Sequence, residues 1–333
     1  MLTEAETPTT RDLLTVIVTT SVTPSVPSTE LLSSVLKSFS RHCPCLLDCR
    51  VIVTFDGYEQ ITPVARLKKG RVTPDQAKAY SLYKDSVKNL ILESYYDLYP
   101  SEDKVPFAQT NAEAEYGSPM DPKNVVHYTI SQTPSKKVTF IEPSRRLGFG
   151  LSVRSALRVA ETPYVWIQQH DWALVSDFPL KPLLSVMRES ESGGEPEAPI
   201  NPASQPDIKI PLTPVFFWHD KPHICSTTHY LKLVFPSRLA VLRGDFIEDK
   251  IGQRARAQMK EGHWAKWATW LYYPDEGKQL CLKHLRGRTW RGAKSEVEEA
   301  AKWRQYNWEM QNALQDDSRD STEDSGADTM TDS

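Results

Sequence analysis

Two carboxylates stand where the sequence predicts that buried strands end. Asp56 directly follows the run Arg50–Phe55, and Asp171 follows the run Tyr164–Gln168 after two polar residues, the second of them His170. Open α/β folds bind ligands outside the carboxyl ends of their strands, so these side chains are candidates for binding. Carboxylate oxygens suit Mg²⁺ or Mn²⁺, and an imidazole suits the softer Mn²⁺. The pattern indicates a site for a phosphate-bearing ligand held through a metal.

The elements that position these residues predict an α/β fold. A strand over Leu13–Thr20, a helix over Glu30–Arg41 with one apolar face, and a strand over Arg50–Phe55 form a β-α-β unit. Such a unit crosses over right-handedly and predicts a parallel sheet. Further helices are predicted over Pro74–Tyr96, Ser152–Glu161, Ile247–Gly262 and Glu296–Leu314, and further strands over Lys137–Ile141, Tyr164–Gln168, Val215–Trp218 and Leu239–Arg243. Residues 100–135 are polar and contain several Pro, and we predict an irregular segment there.

The charge and the Cys content of the chain indicate which kinds of binding partner and which compartment to expect. The chain has 333 residues and a net charge of −3, but residues 315–333 alone carry seven acidic residues against one Arg. The rest of the chain is therefore mildly basic, which suits an anionic small molecule and is too weak to indicate nucleic acid. We predict no signal peptide and no transmembrane segment. An odd number of Cys favours a reducing compartment, so the expectation is a cytoplasmic protein, with peripheral membrane association left open.

Three segments resemble the nucleotide-binding half of GT-A glycosyltransferases, particularly the large inverting family 2. They are Val16–Thr20, Val51–Gly57 and the long stretch Leu147–Asp171. The first resembles the family's opening strand, the second its strand ending in Asp, and the third its Gly-rich loop, Arg-bearing helix and D-x-D strand. The resemblance implies a GT-A-like (Rossmann-like) sheet flanked by helices, with a C-terminal helical extension. It covers about residues 13–174 well and extends loosely to 291.

The resemblance also implies a role for individual residues in binding the donor. The opening strand would end under the nucleotide at Thr19 and Thr20, and Asp56 would contact the base. Arg154 falls at the position of the helix Arg. Arg286 and Arg288 would clamp the diphosphate, since guanidinium groups match phosphate oxygens.

A second set of roles concerns the metal and the catalytic base. Asp171 matches the last Asp of D-x-D, whereas Gln169 stands at the first position in place of Asp. The implied metal ligands are Asp171, His170 and a late His, His284, which would hold Mn²⁺ or Mg²⁺ on the diphosphate. The base that deprotonates the acceptor hydroxyl would be Asp249, with Glu248 as second choice.

Each of these residues also has a purely structural interpretation. Asp56 precedes Gly57, and Asp-Gly is a strong turn signal. Arg154 fits an exposed helix Arg in a local ion pair. Glu248 and Asp249 at a helix start would stabilise the helix dipole.

The predicted organisation is one domain with flexible ends. Residues 1–12 form a flexible N-terminus, 13–313 the GT-A-like domain and 314–333 a disordered acidic tail. Within the domain, 58–136 is an insertion carrying the helix over 74–96, 189–211 is a mobile loop, and 245–313 supplies the acceptor side and the C-terminal helices.

The resulting hypothesis is a metal-assisted, inverting glycosyltransferase. It would move a sugar from a nucleotide-diphosphate sugar to a hydroxyl of a carbohydrate, lipid or protein acceptor. The first alternative is a nucleotidyltransferase, which the Ser/Thr/Pro-rich loop over residues 19–29 disfavours. The second is a non-catalytic protein that binds a ligand or partner in the same cleft, which Gln169 favours.

Overall fold

A computed structural model describes residues 8–96, 105–191 and 209–323. The chain divides into two compact units, with the boundary between Thr289 and Trp290. The strands are β1 Leu14–Thr20, β2 Arg50–Phe55, β3 Gln60–Ile61, β4 Arg71–Val72, β5 Ala108–Glu115, β6 Val125–Gln132, β7 Val138–Pro143, β8 Tyr164–Gln169, β9 Trp172–Leu174, β10 Leu212–Pro214, β11 His223–Ser226, β12 Trp270–Tyr272 and β13 Leu282–His284. The α-helices are α1 Thr10–Leu13, α2 Glu30–His42, α3 Cys45–Asp48, α4 Pro74–Tyr96, α5 Phe149–Leu157, α6 Leu180–Glu191, α7 Thr227–His229, α8 Gln253–Lys260, α9 Trp264–Trp267 and α10 Ala293–Glu323.

The first unit is built on a seven-stranded sheet with the order β11-β8-β1-β2-β7-β6-β5. The four strands at its centre, β8, β1, β2 and β7, are parallel, and the strands beyond them pair antiparallel. Helices cover both faces. This mostly parallel α/β architecture confirms the predicted fold class.

Strand β1 explains why the sheet has a core on each side. All seven of its residues are buried, as expected for a short β-branched run at the centre of a parallel sheet. Val16 and Val18 face one hydrophobic cluster, and Ile17 faces the other. The first cluster includes residues of α2 and α4, and the second includes residues of α5 and α8.

The prediction of an irregular segment over residues 100–135 was wrong for residues 105–135, the part of it that the structure describes. Strands β5 and β6 form an antiparallel hairpin there and extend the main sheet next to β7. The hairpin is at the edge, and β5 has the mostly exposed sequence AQTNAEAE, so the buried apolar run that indicates a strand is missing. The preceding helix, α4, packs Tyr83, Val87 and Ile91 into the core, so this part of the predicted insertion completes the sheet.

Two further strands were predicted in the wrong places. Residues 215–218 are irregular and follow the short strand β10, and residues 239–243 form turns. The helix predicted over Ile247–Gly262 is confirmed as a π-helical segment, Glu248–Gly252, continued by α8.

The chain ends differ from the predicted boundaries. Helix α10 in the second unit runs from Ala293 to Glu323 and thus enters the segment predicted to be a disordered tail. In the flexible N-terminus that was predicted, residues 10–12 belong to α1. Residues 1–7, 324–333 and most of the mobile loop predicted over 189–211 lie outside the described residues. No helix of the described part of the chain is long and apolar enough to cross a membrane.

Candidate functional site

A cleft of about 790 Å³ opens at the carboxyl ends of β1, β2 and β8. The strand register brings these ends to one level, because Thr19 pairs with Thr54 on β2 and with Gln169 on β8. The cleft is lined by ten of the predicted site residues, namely Thr19, Thr20, Asp56, His170, Asp171, Glu248, Asp249, His284, Arg286 and Arg288. Sequence reasoning therefore located the edge of the sheet at which this cleft opens.

Asp56 organises the loop before α5. Its Oδ1 accepts hydrogen bonds from the backbone N–H groups of Leu147 at 2.7 Å and Gly148 at 3.0 Å. Gly148 has φ +80°, and a Cβ there would lie 2.4 Å from the Cα of Gly244, so this loop requires glycine. Burial raises the pKa of Asp56, against these two N–H donors, Arg146 and the backbone N–H of Gly57, which lower it. The carboxylate has a structural role, and its Oδ2 lies 3.9 Å from Nε of Arg146.

Asp171 lies just beyond β8 and holds a loop over the cleft. Its Oδ2 accepts a hydrogen bond from the N–H of Gly287 at 3.1 Å and lies 3.1 Å from Nε2 of His284. Its Oδ1 is buried and has no hydrogen-bond partner among the described residues. An unpaired buried oxygen is costly, so Asp171 can still accept a cation or a hydrogen-bond donor.

The loop 284–289 contains Arg286 and Arg288, and its conformation is constrained. The ring of His284 stacks on that of Trp172, with centroids 4.7 Å apart. Arg286 has φ +55°, a left-handed conformation that is uncommon for a residue with a side chain and is enriched at functional sites. Arg288 lies over the ring of Phe246 at 5.4 Å. We call Thr20, His170, Asp171 and this loop the β8 wall.

A divalent cation fits the β8 wall only if the protein supplies few of its ligands and a bound phosphate and water supply the others. No group of three or more His, Cys, Asp or Glu side chains is arranged to hold a metal ion in the parts of the chain that the structure describes. Mg²⁺ in proteins often uses one or two carboxylates and takes its other ligands from phosphates and water. Asp171, with its unpaired Oδ1, suits that arrangement.

A second part of the cleft lining is acidic, and we call Asp220, Lys221, Glu248 and Asp249 the β11 wall. Glu248 accepts a hydrogen bond from the backbone N–H of Asp220 at 2.9 Å and lies 3.4 Å from Nζ of Lys221. Burial opposes ionisation of Glu248, but the Asp220 N–H, Lys221 and His219 hold its pKa below the usual value. Asp249 is exposed to the cleft and has no hydrogen bond or ion pair with another described residue.

Asp220 is only 5% exposed, and neither carboxylate oxygen has a hydrogen-bond partner in the described part of the chain. Burial raises the pKa of Asp220 to about 7, against the nearby backbone N–H of Glu248 and the charge of Lys221, which lower it; the Glu248 and Asp249 carboxylates add to the rise. The Nε2 of Gln169 donates to the backbone carbonyl of Asp220 at 2.6 Å, which links the two walls.

Arg154 is the predicted site residue that the cleft excludes. It lies on α5, is 1% exposed, and donates from Nη2 to the backbone carbonyl of Glu115 on β5. Burial lowers the pKa of Arg154 to about 10. The role that the resemblance implied for Arg154 is therefore not supported, because the side chain ties α5 to the sheet edge.

Sequence reasoning missed several residues of the cleft. Arg146 and Lys68 add cations to it, and Nη2 of Arg146 lies 3.4 Å from the carbonyl of Lys68. A signal for Asp220 existed, because the polar pair His219-Asp220 follows the apolar run Val215–Trp218. Arg146 gave no comparable signal, since its position depends on how distant loops meet.

Comparison with known proteins adds little. No family model matches the chain, and no curated protein matches it. Among solved structures, the chain is similar to S. aureus TarS, with a TM-score of 0.32 and 14% identity over 66% of this chain and 29% of that one. The chain thus spans under a third of the length of TarS. At this level the similarity carries no weight for function, which must be argued from the cleft.

Proposed function

We propose that the chain binds a nucleotide-diphosphate sugar in this cleft and transfers the sugar to an acceptor hydroxyl. The observation that carries the proposal is the arrangement of charges at the strand ends. A buried carboxylate oxygen without a partner, on Asp171, lies in one cleft with the guanidinium groups of Arg286 and Arg288. A diphosphate needs such cations, and a shared divalent cation needs such an oxygen.

The nucleotide would lie over the ends of β1 and β2. Thr19, Thr20 and Asp56 line this part of the cleft, next to Tyr58. Oδ1 of Asp56 is used by the loop before α5, and Oδ2 lies 3.9 Å from Nε of Arg146, so a ligand would share Oδ2 with that guanidinium. A divalent cation at Asp171 would neutralise charge that develops on the diphosphate leaving group.

Transfer would proceed by direct displacement with inversion. The acceptor oxygen forms a bond to the anomeric carbon, the bond from that carbon to the diphosphate oxygen breaks, and the hydroxyl proton passes to a carboxylate. Asp249 suits this role because it lines the cleft without a partner. Glu248 suits it less, because its Oε2 accepts from the Asp220 N–H and contacts Lys221, and its Oε1 lies 3.5 Å from Nδ1 of His219.

Calorimetric titration of UDP and GDP in the presence of Mn²⁺ tests the proposal. We expect the wild type to bind at least one of them, and Asp171→Asn to lose at least tenfold in affinity. The matched control is Asp177→Asn, since that carboxylate is exposed and contacts His42 away from the cleft. Absence of binding by the wild type, or equal binding by Asp171→Asn, would contradict it.

A binding protein without catalysis is the second candidate. Gln169 favours it, because its side-chain amide is bonded to the Asp220 carbonyl and supplies no carboxylate. A panel of nucleotide sugars with Mn²⁺ separates the two. Release of nucleoside diphosphate indicates a transferase, whereas binding without release across the panel indicates the binder.

A further inference from the structure

The ring of His170 has a single allowed arrangement of its protons. Its Nδ1 lies 3.3 Å from the backbone N of Ser21, whose N–H points at it, and 2.8 Å from Oγ1 of Thr20. A backbone N–H only donates, so Nδ1 must accept and carries no hydrogen. The ring is therefore neutral and carries its hydrogen on Nε2.

This assignment fixes the direction of a buried chain of hydrogen bonds. Thr20 must donate its hydroxyl hydrogen to Nδ1, so its oxygen accepts from the hydroxyl of Tyr83, 2.7 Å away. Burial raises the pKa of Tyr83 to about 12, so that phenol keeps the hydrogen it donates. Thr20, Tyr83 and His170 are all buried. The chain holds the imidazole in one orientation and one tautomer.

The Nε2–H group is left for a ligand. His170 lines the cleft, and Nε2 has no hydrogen-bond partner among the described residues. A Cβ on Gly287 would lie 3.0 Å from Nε2 of His170 and 2.9 Å from Oδ2 of Asp171. The loop can approach these two atoms so closely because residue 287 is glycine and has no side chain.

We propose that His170 is a neutral, orientation-locked hydrogen-bond donor to a phosphate oxygen of the donor substrate, and not a metal ligand. The inference deepens the proposed function and rests on it for the identity of the ligand. Nε2 bound to hydrogen has no lone pair for a cation. It does suit a phosphate oxygen, and Arg286 and Arg288 in the same cleft supply the charge that brings an anion there.

A matched pair of substitutions tests the role. The side-chain amide of Gln reaches the position of Nε2, whereas that of Asn reaches only the position of Nδ1. We expect His170→Gln to bind inorganic pyrophosphate and UDP within about threefold of the wild type, and His170→Asn to lose tenfold or more. Equal loss in both variants, with normal wild-type binding, overturns the role of His170 alone. No wild-type binding overturns the proposed function and the ligand assignment together.

The tautomer is tested independently of any ligand. Nitrogen-15 chemical shifts of selectively labelled His, with the signal of His170 identified by its loss in His170→Gln, distinguish the two neutral forms and the imidazolium. We expect the Nε2–H form at pH 7 in the wild type. The Nδ1–H form or the imidazolium overturns the inference. Should the His170 variants not fold, Thr20→Val provides the second test, since it removes a donor to Nδ1 and should reduce pyrophosphate affinity several-fold.

Discussion

His170 on the β8 wall and Asp220 on the β11 wall are both buried, but they differ in whether their polar side-chain atoms are hydrogen-bonded. On the β8 wall, Nδ1 of His170 receives hydrogen bonds from Thr20 and Ser21, so the ring is held in place. On the β11 wall, both oxygens of Asp220 are buried without a hydrogen-bond partner in the described chain. A satisfied network rigidifies a site, and an unsatisfied charge destabilises the fold around it. The comparison teaches that the imidazole of His170 is preorganised, while the buried carboxylate of Asp220 lowers the stability of the folded state.

The largest expected effect concerns Asp220. Its folded pKa of about 7 lies above the unfolded value of about 3.9, so the neutral form favours folding and stability falls as pH rises between the two values. Asp220→Asn should therefore gain stability relative to the wild type with rising pH, by up to about 4 kcal/mol above pH 7. Urea unfolding from pH 5 to 8.5 measures this gain, with Asp85→Asn as control, since Asp85 is exposed on α4 and does not line the cleft. A stability difference that does not change with pH would contradict the unpaired state of Asp220.

The second prediction is that Arg154 contributes to the stability of the fold and not to ligand binding. Arg154→Ala removes a buried cation near Glu115 and should lower the free energy of unfolding by about 3 kcal/mol. Because the side chain is outside the cleft, pyrophosphate affinity should stay within twofold of the wild type. Arg145→Ala, on the loop before α5, should change unfolding by less than about 1 kcal/mol. If a folded Arg154→Ala variant lost much of its pyrophosphate affinity, Arg154 would have a role in ligand binding after all.

The third prediction concerns a substitution that displaces the loop of the β8 wall. Gly287→Ala places a methyl group against Asp171 and His170, so the loop must move. Pyrophosphate affinity should fall ten- to a hundred-fold, or about 1.4 to 2.7 kcal/mol. Gly262→Ala is the control, because a Cβ there meets nothing within 4 Å and the change adds only backbone strain. Unchanged affinity in Gly287→Ala would mean that ligand binding is independent of this loop.

The smallest effect is expected for Tyr83→Phe. Losing one hydrogen bond from the chain that orients His170 should cost about 1 kcal/mol of stability. It should reduce pyrophosphate affinity about two- to fivefold, since the imidazole becomes less constrained. Tyr95→Phe on the same helix is the control, because the Tyr95 hydroxyl is buried without a partner and its removal breaks no hydrogen bond among the described residues. Identical behaviour of the two variants would argue that the chain does not position His170.

Much of the central sheet could be predicted because its signals are local. The β-branched runs at Leu14–Thr20 and Arg50–Phe55 give strands whatever their neighbours, and the Thr73-Pro74 pair starts α4 as predicted. The β5–β6 hairpin could not be predicted in this way. Strand β5 is mostly exposed, and it is a strand because it pairs with β6. Local periodicity does not report pairing between distant segments.

The sequence by itself determined which polar residues follow the central strands, and hence that Asp56, His170 and Asp171 meet at one edge of the sheet. Parallel strands end on the same side, so their order along the chain suffices for this. Only the tertiary structure decided what each atom does there. The tautomer of His170 depends on Ser21, Thr20 and Tyr83, and the isolation of Asp220 depends on burial. Hydrogen bonds and desolvation are set by groups distant in sequence, which no local pattern encodes.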